Sequence, residues 1–120
     1  MAEYQLINTP TKIKKVFTLA TTESAAVKFD VSALPAIEGK TVTRLSIVKL
    51  NWAVMSGFAV RVLFDRSAGI PAEAMILTGT GSWEGQVKDK GTGNTGDIQF
   101  TTAGTAGTYW VEMEVVAHVD

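Results

Sequence analysis

The run Gly91-Thr92-Gly93-Asn94-Thr95-Gly96 spells G-x-G-x-x-G, the spacing with which a strand-to-helix turn cradles a dinucleotide pyrophosphate. That chemistry needs a helix N-terminus directly after the turn, and here the strand-like Asp97-Ile98-Gln99-Phe100 follows instead. The glycines are therefore read as turn formers that supply positive φ. His118 is the only histidine and there is no cysteine, which excludes multi-histidine and thiolate metal sites. No G-x-S-x-G elbow accompanies His118, so it is read as an exposed side chain of a terminal strand and not as a catalytic base. Glu112 and Glu114 stand two apart on one strand face, where paired carboxylates can serve as acid and base. Two acids on the solvent side of an amphipathic strand are the simpler reading. Asp89, Asn94 and Asp97 offer oxygen ligands for calcium, but the D-x-[DN]-x-[DN]-G spacing is missing and turn hydrogen bonds account for them. No catalytic residue, metal ligand or cofactor is assigned, and the chain is not read as an enzyme.

What remains is the chemistry of contact. Trp52 fits a core position. Trp83 sits in Gly81-Ser82-Trp83-Glu84-Gly85, a turn-rich setting from which a large ring is expected to protrude. Trp110 shares a strand face with Glu112 and Glu114, and tryptophan among charges is a common interface anchor. The stretch from Tyr4 to Pro10 reads as an arm able to add a strand to a neighbouring sheet edge. Tyr4, Leu6, Ile7, Trp83 and Trp110 are thus the candidate protein-contact residues.

The elements that would hold these residues are strands. Of 120 residues, 46% are hydrophobic and 19% charged, enough to bury a core in one domain without disulfides. Apolar and polar residues alternate, and helical periodicity is nearly absent. Val27, Phe29 and Val31 are expected to point inward, with Lys28 and Asp30 in water. Thr41 to Val54 reads as a long central strand whose apolar phase changes: Leu45 and Ile47 share one face, then Val48, Leu50, Trp52 and Val54 the other. That change requires a bulge or burial on both sides. With the turn Met55-Ser56-Gly57 and the alternating Phe58 to Phe64, residues 41–65 are expected to form a β-hairpin. From Gly79 on, eight of the eleven glycines argue for turns and short strands. Thr108 to His118 closes the chain, with Tyr109, Val111, Met113 and Val115 on its inner face. Residues 1–10 are read as an N-terminal arm or short edge strand and residues 11–120 as a single domain. The fold class is all-β, an antiparallel β-sandwich of jelly-roll type, with a small barrel as the alternative.

Net charge is −1, which gives no general affinity for nucleic acid or membranes. Residues 1–66 hold nine Lys and Arg against five Asp and Glu, and residues 67–120 two against seven. The two sets either interleave and cancel in space or form opposed patches suited to head-to-tail association. The N-terminus lacks the basic and apolar regions of a signal peptide, so synthesis in the cytoplasm is expected.

The segments Thr78-Gly79-Thr80-Gly81-Ser82-Trp83, Gly93-Asn94-Thr95-Gly96-Asp97-Ile98-Gln99-Phe100-Thr101-Thr102 and Tyr109-Trp110-Val111-Glu112-Met113-Glu114-Val115 resemble small virion structural proteins of tailed bacteriophages, above all capsid decoration (cement) proteins. The likeness covers roughly the last third of the chain and is one of local phrasing, without a diagnostic motif. It implies a non-enzymatic β-module made in the host cytoplasm. Such a module, a homo-oligomer and often a trimer, binds the major capsid protein on the outer shell and stabilises the shell. A neck, tail or fibre component, a small capsid subunit, or a carbohydrate-binding β-sandwich are the alternatives. No functional residue is carried over.

Overall fold

The structure, a computed structural model, describes residues 2–8 by their main chain and residues 11–19, 22–67, 72–88, 94–104 and 107–119. Alternating side chains produce strands throughout: β1 (Ala2–Asn8), β2 (Lys12–Leu19), β3 (Ala26–Phe29), β4 (Val42–Val54), β5 (Phe58–Arg66), β6 (Ala72–Leu77), β7 (Thr80–Lys88), β8 (Asn94–Gly104) and β9 (Tyr109–Val119). A 3-10 turn, Val31–Ala33, is the one helical element among the described residues.

Strand partners define the topology. β2 pairs with β9, β3 with β8, β4 with β7 and β5 with β6, all antiparallel. The chain is thus one long hairpin with nested arms. Rolling that hairpin lets β9 join β4 and β8 join β5, giving a five-stranded sheet, β1-β2-β9-β4-β7, and a four-stranded sheet, β3-β8-β5-β6. This is the jelly-roll arrangement of a two-sheet sandwich. Both sheets keep open edges, so the barrel alternative is set aside.

The two arms also explain the charge asymmetry. Lys12 and Lys14 of β2 lie beside Glu114 and Glu112 of β9, and Arg61 of β5 beside Glu73 of β6. Basic strands of the first half are interleaved with acidic strands of the second.

The inner faces meet in a continuous core that includes Ile13, Phe17, Leu45, Ile47, Val60, Val62, Phe100, Val111 and Val115. In β4 the register against β9 shifts between Ile47 and Lys49. The extra residue, Val48, absorbs the phase change, so Leu50 and Val54 face the same core as Leu45 and Ile47.

Three expectations are corrected. First, β4 and β5 are not a hairpin: the turn at Met55-Ser56-Gly57, with Gly57 at φ 80°, carries the chain from one sheet to the other. Each strand finds its hydrogen-bond partners elsewhere. Second, the glycine-rich region forms two long strands, β7 and β8. Gly96 lies inside β8 at φ 90°, where a Cβ would collide with the Thr43 carbonyl oxygen. Close passage of β8 over the start of β4 requires glycine there. Third, a register shift between Val27 and Phe29 inverts the expected placement of Val27 and Lys28, whereas Phe29 and Val31 are buried and Asp30 is exposed as expected. Val27 is 48% exposed and Lys28 only 4%.

Lys28 therefore carries its charge into the end of the core. Its Nζ lies 2.6 Å from Glu23 Oε2 and 5.6 and 5.5 Å from the ring centroids of Phe17 and Phe100. Tyr109 donates its hydroxyl to Glu23 Oε1 at 2.5 Å. Burial, reinforced by the hydrogen bond and the Glu23 charge, pushes the Tyr109 phenol above its ordinary range. Edge-to-face contacts run from Phe29 through Phe17 and Phe100 to Tyr109, alternating between the sheets. The Glu23 backbone is held as well: its N–H donates to Thr102 Oγ1 at 2.8 Å, and its carbonyl accepts from Thr102 N–H at 2.9 Å.

A buried charge deprived of its partner costs about 3–5 kcal/mol. Glu23→Ala is therefore expected to lower unfolding stability by about that amount in urea titrations, and joint replacement by Glu23→Leu and Lys28→Met to recover most of it. Equal urea midpoints for Glu23→Ala and the parent would contradict this assignment.

Candidate functional site

The side chains capable of catalysis have structural partners. Glu112 Oε1 lies 3.1 Å from Lys14 Nζ and accepts from Asn51 Nδ2 at 3.1 Å. Glu114 Oε2 lies 3.7 Å from Lys12 Nζ. His118 is half-buried in β9, an interior strand of its sheet, and shares a 2.6 Å hydrogen bond with Ser46 Oγ. A serine and a histidine at this distance are the beginning of a nucleophilic pair. Ser46, however, has no exposed surface, and mid-strand N–H groups committed to the ladder provide no oxyanion site. The pair is a cross-strand polar contact.

Of the three residues that offered oxygen ligands for calcium, Asp97 alone has a described side chain, and it belongs to a group of acids that bind nearby N–H and hydroxyl groups. Asp30 Oδ1 accepts from Ser32 N–H and from Ser32 Oγ, at 2.9 and 2.6 Å. Asp97 Oδ1 accepts from Val31 N–H at 2.9 Å, and Thr95 donates its hydroxyl to Asp65 Oδ2 at 3.0 Å. Asp89 and the Asn94 side chain lie outside the described residues. Among those described, no three His, Asp or Glu side chains are placed to hold a metal ion.

The contact candidates separate. Tyr4, Leu6 and Ile7 belong to β1, the strand at one edge of the five-stranded sheet. Its main chain sets Tyr4 opposite Val16 and Ile7 opposite Lys14, with a register shift at Leu6. Their side chains lie outside the described set. Trp83 belongs to β7 at the opposite edge and pairs with Leu50. It is half-buried against the core, its ring over Gly85, rather than protruding from a turn. Trp110, in β9, is 38% exposed on the outer face. These five residues are not one site.

Trp110 has a neighbour that sequence reasoning missed. Met55, 44% exposed, opens the turn between β4 and β5, and a shallow cleft lined by Ala53, Val54, Met55, Thr108, Tyr109 and Trp110 joins the two. A second cleft of about 560 Å³ lies on the other side of Met55, with Phe58, Thr78, Gly79 and Gly104 among its walls. Among the described residues, none that lines either cleft is charged. The rim is braced: Met55 N–H donates to Thr108 O at 3.1 Å, Val54 N–H to Gly79 O at 2.6 Å, and Trp52 Nε1–H to Thr78 O at 3.0 Å. A polarisable methionine and a tryptophan on a rigid, uncharged rim have the make-up of a protein-contact centre. The available signal was a large apolar residue where turns favour Gly, Asn, Asp or Ser.

Asp97 provides a pH test of the acid cluster. Burial raises its carboxyl above the usual range; the Val31 N–H bond opposes this, while the charges of Asp30 and Asp65 reinforce it. A folded pKa above the unfolded one means that this group stabilises the fold when protonated and loses that contribution as pH rises through the folded pKa. Asp97→Asn retains an oxygen for the Val31 bond and removes the charge. It is expected to melt a few degrees above the parent at about pH 7, the gap closing below about pH 4. Circular dichroism melts across that range make the comparison.

Compared with protein families, curated proteins and solved structures, the chain matches none of them at a level that shows kinship.

Proposed function

We propose that this chain is a non-enzymatic structural protein of a tailed-phage virion that binds the outer surface of the capsid and stabilises the shell. The observation that carries the contact role is the Met55–Trp110 rim, two exposed apolar anchors beside uncharged clefts on a braced scaffold. The virion assignment rests on the resemblance of the last third of the sequence. In this reading the major capsid protein, or another virion protein, supplies an apolar side chain to the clefts. Small modules of this kind gain residence on a shell through many simultaneous contacts. Jelly rolls serve both capsid and lectin domains, so the fold does not choose between them. One feature favours carbohydrate as the second reading: Trp110 shares its face with Asn51 and Glu112, an aromatic platform flanked by an amide and a carboxylate.

Co-sedimentation with capsids of the encoding virus is expected to show saturable binding in many copies. Trp110→Ala and Met55→Ala should each weaken it about tenfold or more, corresponding to at least ~1.4 kcal/mol. Absence from purified virions together with no co-sedimentation would sink the proposal, and glycan-array hits lost in Trp110→Ala would favour the second reading.

A further inference from the structure

The chain has no cysteine, so a peroxide that reaches it finds no thiol, and its softest nucleophiles are the thioether sulfurs of methionine. The described methionines differ in access. Met113 has no exposed surface and Met75 is half-buried against the core, whereas Met55 is 44% exposed. Met55 is also the wall that the two clefts of the rim share with Val54. Its position is fixed at both ends of the residue. The backbone N–H donates to Thr108 O at 3.1 Å. The thioether lies across Gly107, where a Cβ would collide with Met55 Cε and stand 3.3 Å from Sδ.

We propose that Met55 is the oxidation site of this protein and that its sulfoxide switches the rim off as an apolar contact surface, an inference that rests on the reading of the rim as the shell contact. The co-reactant is a hydroperoxide. A lone pair of Met55 Sδ attacks the terminal peroxide oxygen, and the S–O bond forms as the O–O bond breaks. The leaving hydroxide takes up a proton and becomes water, so that sulfur is oxidised by two electrons and the peroxide is reduced. The product carries a strongly polar oxygen where the two clefts meet. An apolar side chain docking there has to strip water from that oxygen and offers it no hydrogen bond in return, which costs affinity. The change is reversible in kind. A thiol-dependent sulfoxide reductase removes the oxygen as water while two thiols become a disulfide. Met113 is shielded by the core and cannot respond on the same timescale, so the fold confines the first oxidation to the contact rim.

Graded hydrogen peroxide followed by peptide mass mapping tests the first half: the Met55 peptide is expected to gain one oxygen about tenfold faster than the Met113 peptide, or more, and ahead of the Met75 peptide. On a phenyl column the singly oxidised parent should elute earlier than the untreated protein. Met55→Leu, which keeps an apolar side chain without sulfur, should elute alike before and after peroxide. In capsid co-sedimentation, oxidation should weaken the parent by about tenfold or more, and sulfoxide reductase should restore it. Met113 oxidised as fast as Met55, unchanged column retention of the oxidised parent, or an oxidised parent that binds capsids at full strength would each overturn the inference. A parent that binds no capsid before oxidation overturns the shell reading instead, and the mapping and the column retention then decide this one.

Discussion

A lysine ammonium enclosed by aromatic rings has to meet a carboxylate, and that requirement organises one end of this molecule. Lys28 enters the core because β3 carries an extra residue, and Glu23 is positioned for it by Thr102 of β8. Tyr109 completes the carboxylate's hydrogen bonding from the other sheet. One ion pair thereby fastens together the β2-to-β3 crossing, β8 and the start of β9. An apolar end could be equally stable. What the charge adds is geometric selectivity, because only one register of β3 lets Lys28 reach Glu23.

Nested pairing is the second organising feature, and electrostatics is written into it. A chain whose first half is basic and second half acidic gains most when early strands lie beside late ones, as the rolled hairpin ensures for β2 to β5. Cross-strand ion pairs of this exposure contribute little individually. Their collective effect is to disfavour pairings between two early strands, where lysine would face lysine.

Much of this was legible in the residues and some could not be. The bulge in β4 was written in the phase change from Ile47 to Leu50, since alternation cannot reverse without an extra residue. The inner face of β9 followed from simple alternation. Val27 and Lys28 were misread for the same reason: Ala26 to Asp30 alternates correctly, and the partner that draws Lys28 inward is held by Tyr109, 86 positions from Glu23. A glycine turn after Val54 announces a reversal but not whether the chain stays in its sheet, which β7 and β9 decide by occupying both flanks of β4. At the candidate site, Trp110 was readable from its neighbours on the strand, whereas Met55 acquires its meaning only when the β8-to-β9 connection passes beside it.

The interior position of β9 has a consequence in time. β2 and β4 are not paired with each other; both pair with residues 109–119. During synthesis β2 and β4 therefore wait for almost the whole chain before the strand that joins them exists, while β5 and β6 can close a local pair much sooner. Loop-closure entropy favours that order: assembly zips outward from the fold of the hairpin, and β9 closes the larger sheet last. Until then the edges of β2 and β4 that flank β9 have no strand partner, which marks the nascent chain as a client for whatever shields open strand edges in the cell.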